Sequence, residues 1–259
     1  MPRFAANLSL LFPEHPLPAR VAAARRAGFA AVEVQFPYEL PAVQWRAACD
    51  TAGLPMVLFN VPAGDLMSGG DGLACVPGRE PLFAEALAQC ADYARVLRPR
   101  CVNVLAGRVP AGVDPQACLA VLQDNLRRAV DVLAPLDVTV IVEAINRHGM
   151  PRFLVSTFDD MQALVASVPG TAMQFDLYHM ARMGEPLAQH IAERGNTFGH
   201  VQFADVPGRH QPGTGTLDFA TLFAALDASG YRGWCAAEYH PQGDAAASLH
   251  WLDRYRGGH

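Results

Sequence analysis

The sequence predicts a single (β/α)8 barrel, an α/β fold spanning residues 1–259, on three observations. Eight short apolar runs recur along the chain with helix-like stretches between them. No linker, short-period repeat or low-complexity segment breaks the alternation. The length of 259 residues, with 51% hydrophobic and 17% charged content, is ordinary for one such barrel, for which about 250 residues is typical. Unbroken alternation favours one closed parallel barrel over two doubly wound sheets.

In chain order, the strand-like runs are FAANLSL (4–10), AVEVQFP (31–37), PMVLFNV (55–61), CVNVLAG (101–107), VTVIVEAIN (138–146), TAMQFDLYH (171–179), TFGHVQFAD (197–205) and WCAAEYH (234–240). Helix-like stretches between them include 16–28, 80–97, 114–134 and 218–230. Asp114-Pro115 and Asp218 are helix starts by their capping chemistry, and Gly28 and Gly230 are stops. The one long connection, VPAGDLMSGGDGLACVPGR (61–79), is Gly-rich and longer than a plain β-to-α link needs, which marks it as a candidate lid over the barrel mouth.

Composition narrows the partners. A net charge of -5 with scattered basic residues gives no footprint for nucleic acid, so the expected partner is a small molecule. Six cysteines form no C-x-x-C pair and read as reduced structural thiols of a cytoplasmic protein. The opening MPRFAANLSLLFPEHP is interrupted by Asn7 and Ser9 and ended by prolines, so no signal or membrane segment is expected. Phe36, Tyr38 and Trp45 are expected to be exposed near strand two, where they would cover a site or join subunits of a homo-oligomer.

Four polar side chains, Glu143, Asp176, Gln202 and Glu238, lie inside or at the ends of the last four runs. In a barrel the active site forms at the C-terminal ends of the strands, and all four fall there. No Lys or Arg lies within those runs to neutralise three carboxylates, and an unpaired buried charge costs several kcal/mol or more. A cage of oxygen ligands for a hard divalent cation, Mg²⁺ or Mn²⁺, meets that cost. A hydrogen-bonded structural layer is the alternative. His179 follows Asp176 by three residues, within reach of a substrate oxygen, or is a satisfied loop residue. Arg209, in ADVPGRHQPGTG (204–215), either grips a substrate carboxylate bidentately or is a solvated loop arginine. Gly-Thr-Gly at 213–215 lacks the spacing of a phosphate-binding fingerprint and reads as a turn.

RFAANLSLLF (3–12), FPYE (36–39), NVPAGD (60–65), PGRE (77–80), VEAIN (142–146), FDLYHM (175–180), HVQFAD (200–205), RHQPGTG (209–215) and GWCAAEYHP (233–241) together resemble the hydroxypyruvate isomerase family, within the xylose-isomerase-like barrels, nearly end to end. The resemblance implies metal binding by Glu143, Asp176, Gln202 and Glu238, with Glu143 and Glu238 also moving a proton, and substrate contacts from His179 and Arg209. It implies isomerisation of a small hydroxy-oxo acid, hydroxypyruvate to tartronate semialdehyde, through an enediolate. The related 2-oxotetronate isomerases are the nearest alternative, to which the opening MPRFAANLS is also similar. Ketose 3-epimerases follow, but they usually place His where this chain has Gln202. The chain departs from the family's usual pattern at His240, where Lys is common, and at Thr216, where Glu is common; both bear on how the acid end of a substrate is held.

Overall fold

The computed structural model describes residues 2–244 and 247–255. Of the expected 1–259 span, Met1, residues 245–246 and residues 256–259 lie outside the described residues. Eight parallel strands pair in sequence order and close into a barrel: β1 (Arg3–Asn7), β2 (Ala31–Glu33), β3 (Met56–Asn60), β4 (Cys101–Asn103), β5 (Thr139–Glu143), β6 (Thr171–Asp176), β7 (Phe198–Phe203) and β8 (Trp234–Ala237). The α/β architecture is therefore the (β/α)8 barrel expected of the sequence.

The connecting helices are α1 (Leu17–Ala27), α2 (Ala42–Ala52), α3 (Glu80–Leu97), α4 (Pro115–Leu133), α5 (Phe158–Ser167), α6 (Leu177–Arg182), α7 (Leu187–Arg194) and α8 (Phe219–Ala228), with α9 (His250–Tyr255) after the last strand. Their ends follow local chemistry. Asp114 accepts from the Gln116 backbone N–H at the start of α4, and Asp218 does the same for Thr221 at the start of α8. Thr157 and Asp160 form a reciprocal capping box on α5. Gly28 stops α1 at φ 93°, a left-handed conformation that lets its N–H reach the Ala24 and Arg25 carbonyls.

The strands are shorter than the apolar runs that announce them. Pairing ends near the polar residue of each run, and the rest turns into the loops of the barrel mouth. His179, expected at the end of a strand, instead lies in the first turns of α6, because Asp176 caps that helix by accepting from the Tyr178 and His179 N–H groups. Trp45, expected to be exposed, is fully buried in α2 with its indole N–H donating to the Pro37 carbonyl at 2.9 Å. Phe36 and Tyr38 are half-buried.

Aromatic packing anchors the C-terminal helix. Trp251 of α9 meets Phe4 of β1 and Phe203 of β7 edge-on, at centroid separations of 5.2 and 5.1 Å. All six cysteines are free and buried. Among the described residues no helix is long and apolar enough to cross a membrane. The 61–79 connection is a pinned rim, unlike a hinged cover. Leu66, Leu73, Ala74, Cys75 and Val76 are buried, Arg79 pairs with Asp65 at 3.0 Å, and Arg108 donates to the Leu66 and Gly70 carbonyls.

Candidate active site

Every strand delivers a polar side chain at or beside its C-terminal end. Asn7, Glu33, Asn60, Asn103, Glu143 and Asp176 are the last residues of β1 to β6; Gln202 is next to last in β7, and Glu238 follows β8 directly. Parallel register places neighbours level, with Asn7 beside Glu33, Asn60 beside Asn103 and Asp176 beside Gln202. The result is a polar floor beneath a pocket of about 150 Å³. Glu143, His179, Gln202, Arg209 and Glu238 line the pocket, and Met67 of the rim closes one side. Asp176 lies below, bonded to the start of α6.

The four proposed cation ligands are thus brought to one end of the barrel, and their bonding differs. Glu143 Oε2 accepts from Asn103 at 3.2 Å, while its Oε1 faces His179 Nε2 at 3.8 Å. Asp176 Oδ2 faces the same nitrogen at 3.7 Å. Ligand atoms of Glu143, Asp176 and His179 all lie within 4.8 Å of one another, a buried triad that could hold a metal ion. Glu238 is turned elsewhere: its Oε1 accepts from Asn7 and Gln35, each at 2.9 Å, and its Oε2 from Arg209.

Below these groups lies a layer that sequence reasoning missed. Glu33, wholly buried, accepts from Asn7 at 2.8 Å and from the Gln202 amide at 2.7 Å, and meets His200 Nε2 at 2.7 Å. With Gln202 Nε2 committed to Glu33, its Oε1 turns toward Gln174, which donates to it. Glu33 therefore fixes which face of the Gln202 amide is offered to the site. The signal was present, since Glu33 interrupts an apolar run as Glu143 does.

Arg209 is presented by the loop after β7, with φ 58° and its backbone N–H bonded to the Asp205 carbonyl. Asp205, also missed from sequence, is buried and organises that loop: its carboxylate accepts from the backbone N–H groups of Val206, Gly213, Gly215 and Leu217 at 2.8–3.1 Å. Gly215 must be glycine, because a Cβ there would lie 1.8 Å from the Val206 carbonyl oxygen. The guanidinium stacks 5.2 Å from the Tyr178 ring centroid. Thr216 is exposed at the far end of the same loop, and His240 is exposed with its N–H on the Arg209 carbonyl, so the two departures flank the arginine's loop without entering the floor.

Electrostatics mark the site as strained toward neutral carboxyls. Burial, then the nearby Asp176 and Glu238 charges, pushes Glu143 well above the ordinary carboxylate range. Burial raises Asp176 and Glu238 as well, opposed in both by Arg209. Burial and the same guanidinium hold His179 well below its usual value, which disfavours the charged ring. Among the described residues Arg209 alone of the arginines forms an ion pair with any of the three carboxylates. Three of the buried polar atoms that lack a partner, Asn103 Oδ1, Gln174 Oε1 and Arg209 Nε, belong to this site. Excess buried negative charge, oxygen-rich donors and orphaned polar atoms fit a divalent cation together with a polar ligand.

A closed parallel barrel with buried ionisable groups at the C-terminal strand ends is the arrangement of a barrel enzyme. The chain belongs to the xylose isomerase-like TIM barrel family, whose model matches residues 21–255. It is 40% identical to the 2-oxo-tetronate isomerase of Cupriavidus necator, covering 99% of this chain and 100% of that protein. It is 38% identical to the hydroxypyruvate isomerase of Escherichia coli, again covering 99% and 100%. A crystal structure described as an AP endonuclease, family 2, from Brucella melitensis superposes with a TM-score of 0.94 at 39% identity, covering 99% of this chain and 100% of that one. With relatives named isomerases along its full length, the protein is an enzyme of the isomerase type.

Proposed function

We propose that the enzyme interconverts hydroxypyruvate and tartronate semialdehyde, moving a proton between C3 and C2 of a three-carbon acid with a divalent cation, Mg²⁺ or Mn²⁺, in the pocket. The observation that carries this reading is the meeting of Glu143 and Glu238 with Arg209 around one small pocket. Two carboxyls supply a base and an acid, and the guanidinium supplies a grip for the acid end of the substrate. The pocket volume of about 150 Å³ lies below the ~300–1,000 Å³ usual for drug-sized ligands, which favours a substrate of few atoms.

In this reading Glu143, Asp176, Gln202 and Glu238 hold the cation. The ion, when bound, supplies positive charge beside the two adjacent substrate oxygens. Glu143 and Glu238 address opposite faces of the substrate. One takes the C3 proton, leaving an enediolate, and a proton is delivered to C2, while the hydroxyl proton passes from O3 to O2. Arg209 exchanges Glu238 for the substrate carboxylate, and its unpartnered Nε supports that role. His179 donates to a substrate oxygen where charge develops. Burial raises the proton affinity of both carboxyls, which suits groups that take and return a proton. The chain's six free, buried thiols fit a cytoplasmic setting.

Isomerisation of 2-oxotetronate, one carbon longer, is the second reading, favoured by the 40% identity to the Cupriavidus necator protein of that name. Measuring kcat/KM for both acids, first on chelated enzyme and then with Mg²⁺ or Mn²⁺ restored, separates the two. Preference for hydroxypyruvate supports the first reading, and preference for the four-carbon acid supports the second. Glu143→Gln and Glu238→Gln are each expected to abolish turnover with the fold intact, and wild-type rates in both would remove them from catalysis.

A further inference from the structure

We infer that Asn146 is a positioning residue that fixes His179 in a single tautomer, with Nδ1 bare and the proton on Nε2, making His179 a donor into the pocket and excluding it from the cation's ligands.

The argument begins at Gly149. Its backbone N–H donates to Asn146 Oδ1 at 2.8 Å, which settles the orientation of the amide: the oxygen faces Gly149 and the nitrogen faces away. The nitrogen, Nδ2, lies 2.6 Å from His179 Nδ1. The Asn146 backbone N–H points at the same ring atom from 3.4 Å. Two N–H groups of one residue thus converge on Nδ1, leaving no room there for a proton. Nδ1 accepts, and the ring's proton must reside on Nε2.

Nε2 faces the pocket, 3.8 Å from Glu143 Oε1 and 3.7 Å from Asp176 Oδ2. A ring nitrogen that carries a proton has no lone pair to give a cation. By distance alone Glu143, Asp176 and His179 form a ligand triad. The tautomer divides that triad into two oxygen ligands and one hydrogen-bond donor. Asn146 does this from the loop after β5, so one strand end supplies both the carboxyl of Glu143 and the residue that orients its neighbour. The assignment to a substrate oxygen rests on the function proposed above; the tautomer does not.

The test is nitrogen NMR of the metal-free protein labelled with ¹⁵N-histidine, His179 being identified by the signal lost in His179→Gln. The expected spectrum shows an unprotonated Nδ1 and a protonated Nε2. Asn146→Asp keeps an oxygen for Gly149 and replaces the amide donor with an acceptor, so it is expected to reverse the pattern. In Asn146→Ala, where only the distant backbone N–H remains, both tautomers should appear, which keeps the test alive if the aspartate variant does not fold. A wild-type Nδ1 that carries the proton, or a spectrum unchanged in the variants, would overturn the inference. With the tautomer reversed, kcat should fall by about 10²–10³, the usual cost of one lost donor to developing negative charge, while Mn²⁺ affinity read by electron paramagnetic resonance holds or tightens. Mn²⁺ affinity should also hold in His179→Gln, and an affinity that collapses there would show His179 to be a ligand after all. The predicted spectrum in a wild type that turns over neither acid would refute the proposed function and leave the role of Asn146 standing.

Discussion

Glu143 illustrates how burying a carboxyl makes stability depend on pH. Its folded-state proton affinity is raised, so between the ordinary carboxyl value of about 4.3 and that raised value the native chain holds a proton the unfolded chain has lost. Stability from this group is present below the unfolded value and lost as pH rises through the folded one. Glutamine has no such proton. Metal-free Glu143→Gln should therefore gain on metal-free wild type as pH rises above about 4.3, then level off; urea denaturation across pH checks it, and a gain that grows toward acid would contradict the burial argument. Glu33 is a second case. Asn7, Gln202 and His200 all depend on it. Its replacement by Ala takes the partner from the Gln202 amide and from His200 Nε2 and leaves Asn7 with Glu238 alone, and about 1–3 kcal/mol of unfolding free energy should be lost for each orphaned group. A cost near zero in equilibrium unfolding would mean water replaces the carboxylate. Reasoning from sequence singled out Glu143, Asp176, Gln202 and Glu238 as candidates by asking why polar residues interrupt apolar runs, and overlooked Glu33 in AVEVQFP, where the same question applies.

Among the elements, helix ends were more legible than strand ends for a physical reason. An Asp, a Thr-x-x-Asp or a Gly terminates a helix through bonds made within a few residues, so α1, α4 and α8 begin and end close to where the sequence places them. A strand ends where its neighbour stops pairing, which is a non-local fact, so the runs at 31–37 and 101–107 contain strands of three residues each. The same non-locality hid Trp45, whose burial depends on what α2 packs against. The β7–α8 loop shows what local bonds achieve at a functional element. Asp205 gathers four backbone N–H groups and thereby sets where Arg209 emerges. Asp205→Asn retains one acceptor oxygen and loses the other, which serves Gly213 and Gly215. Misplacement of the guanidinium by about 1 Å is enough for a loss on the order of 10²-fold in kcat/KM, and it should appear mainly in KM for the acid substrate. An unchanged KM would show that Arg209 finds its place without this scaffold.

At the scale of the whole molecule, eight strand ends converge, so the site is a property of barrel closure. Each side chain of the floor comes from a different strand, from Asn7 near the N-terminus to Glu238 near the C-terminus. A cation that binds there binds only the folded chain. At a free concentration of about 100 Kd it should add about 2.7 kcal/mol to the unfolding free energy, and a chelator should remove that increment. Calorimetric melts with Mg²⁺, Mn²⁺ and chelator test this, and coincident melts in all three would argue against a cation in the pocket.

The six buried thiols give this molecule a clock. They are distributed over α2, the 61–79 rim, α3, β4, α4 and β8, so they sample the side of the barrel from α2 to α4 and the last strand. A thiol reagent reaches each sulfur only when the shell around it parts. If opening is global, all six are modified together at the rate of unfolding; if one sector breathes on its own, its cysteine is labelled first, and mass spectrometry of peptides names the sector. With no substitution made, the chain reports which of its thiol-bearing sectors opens first.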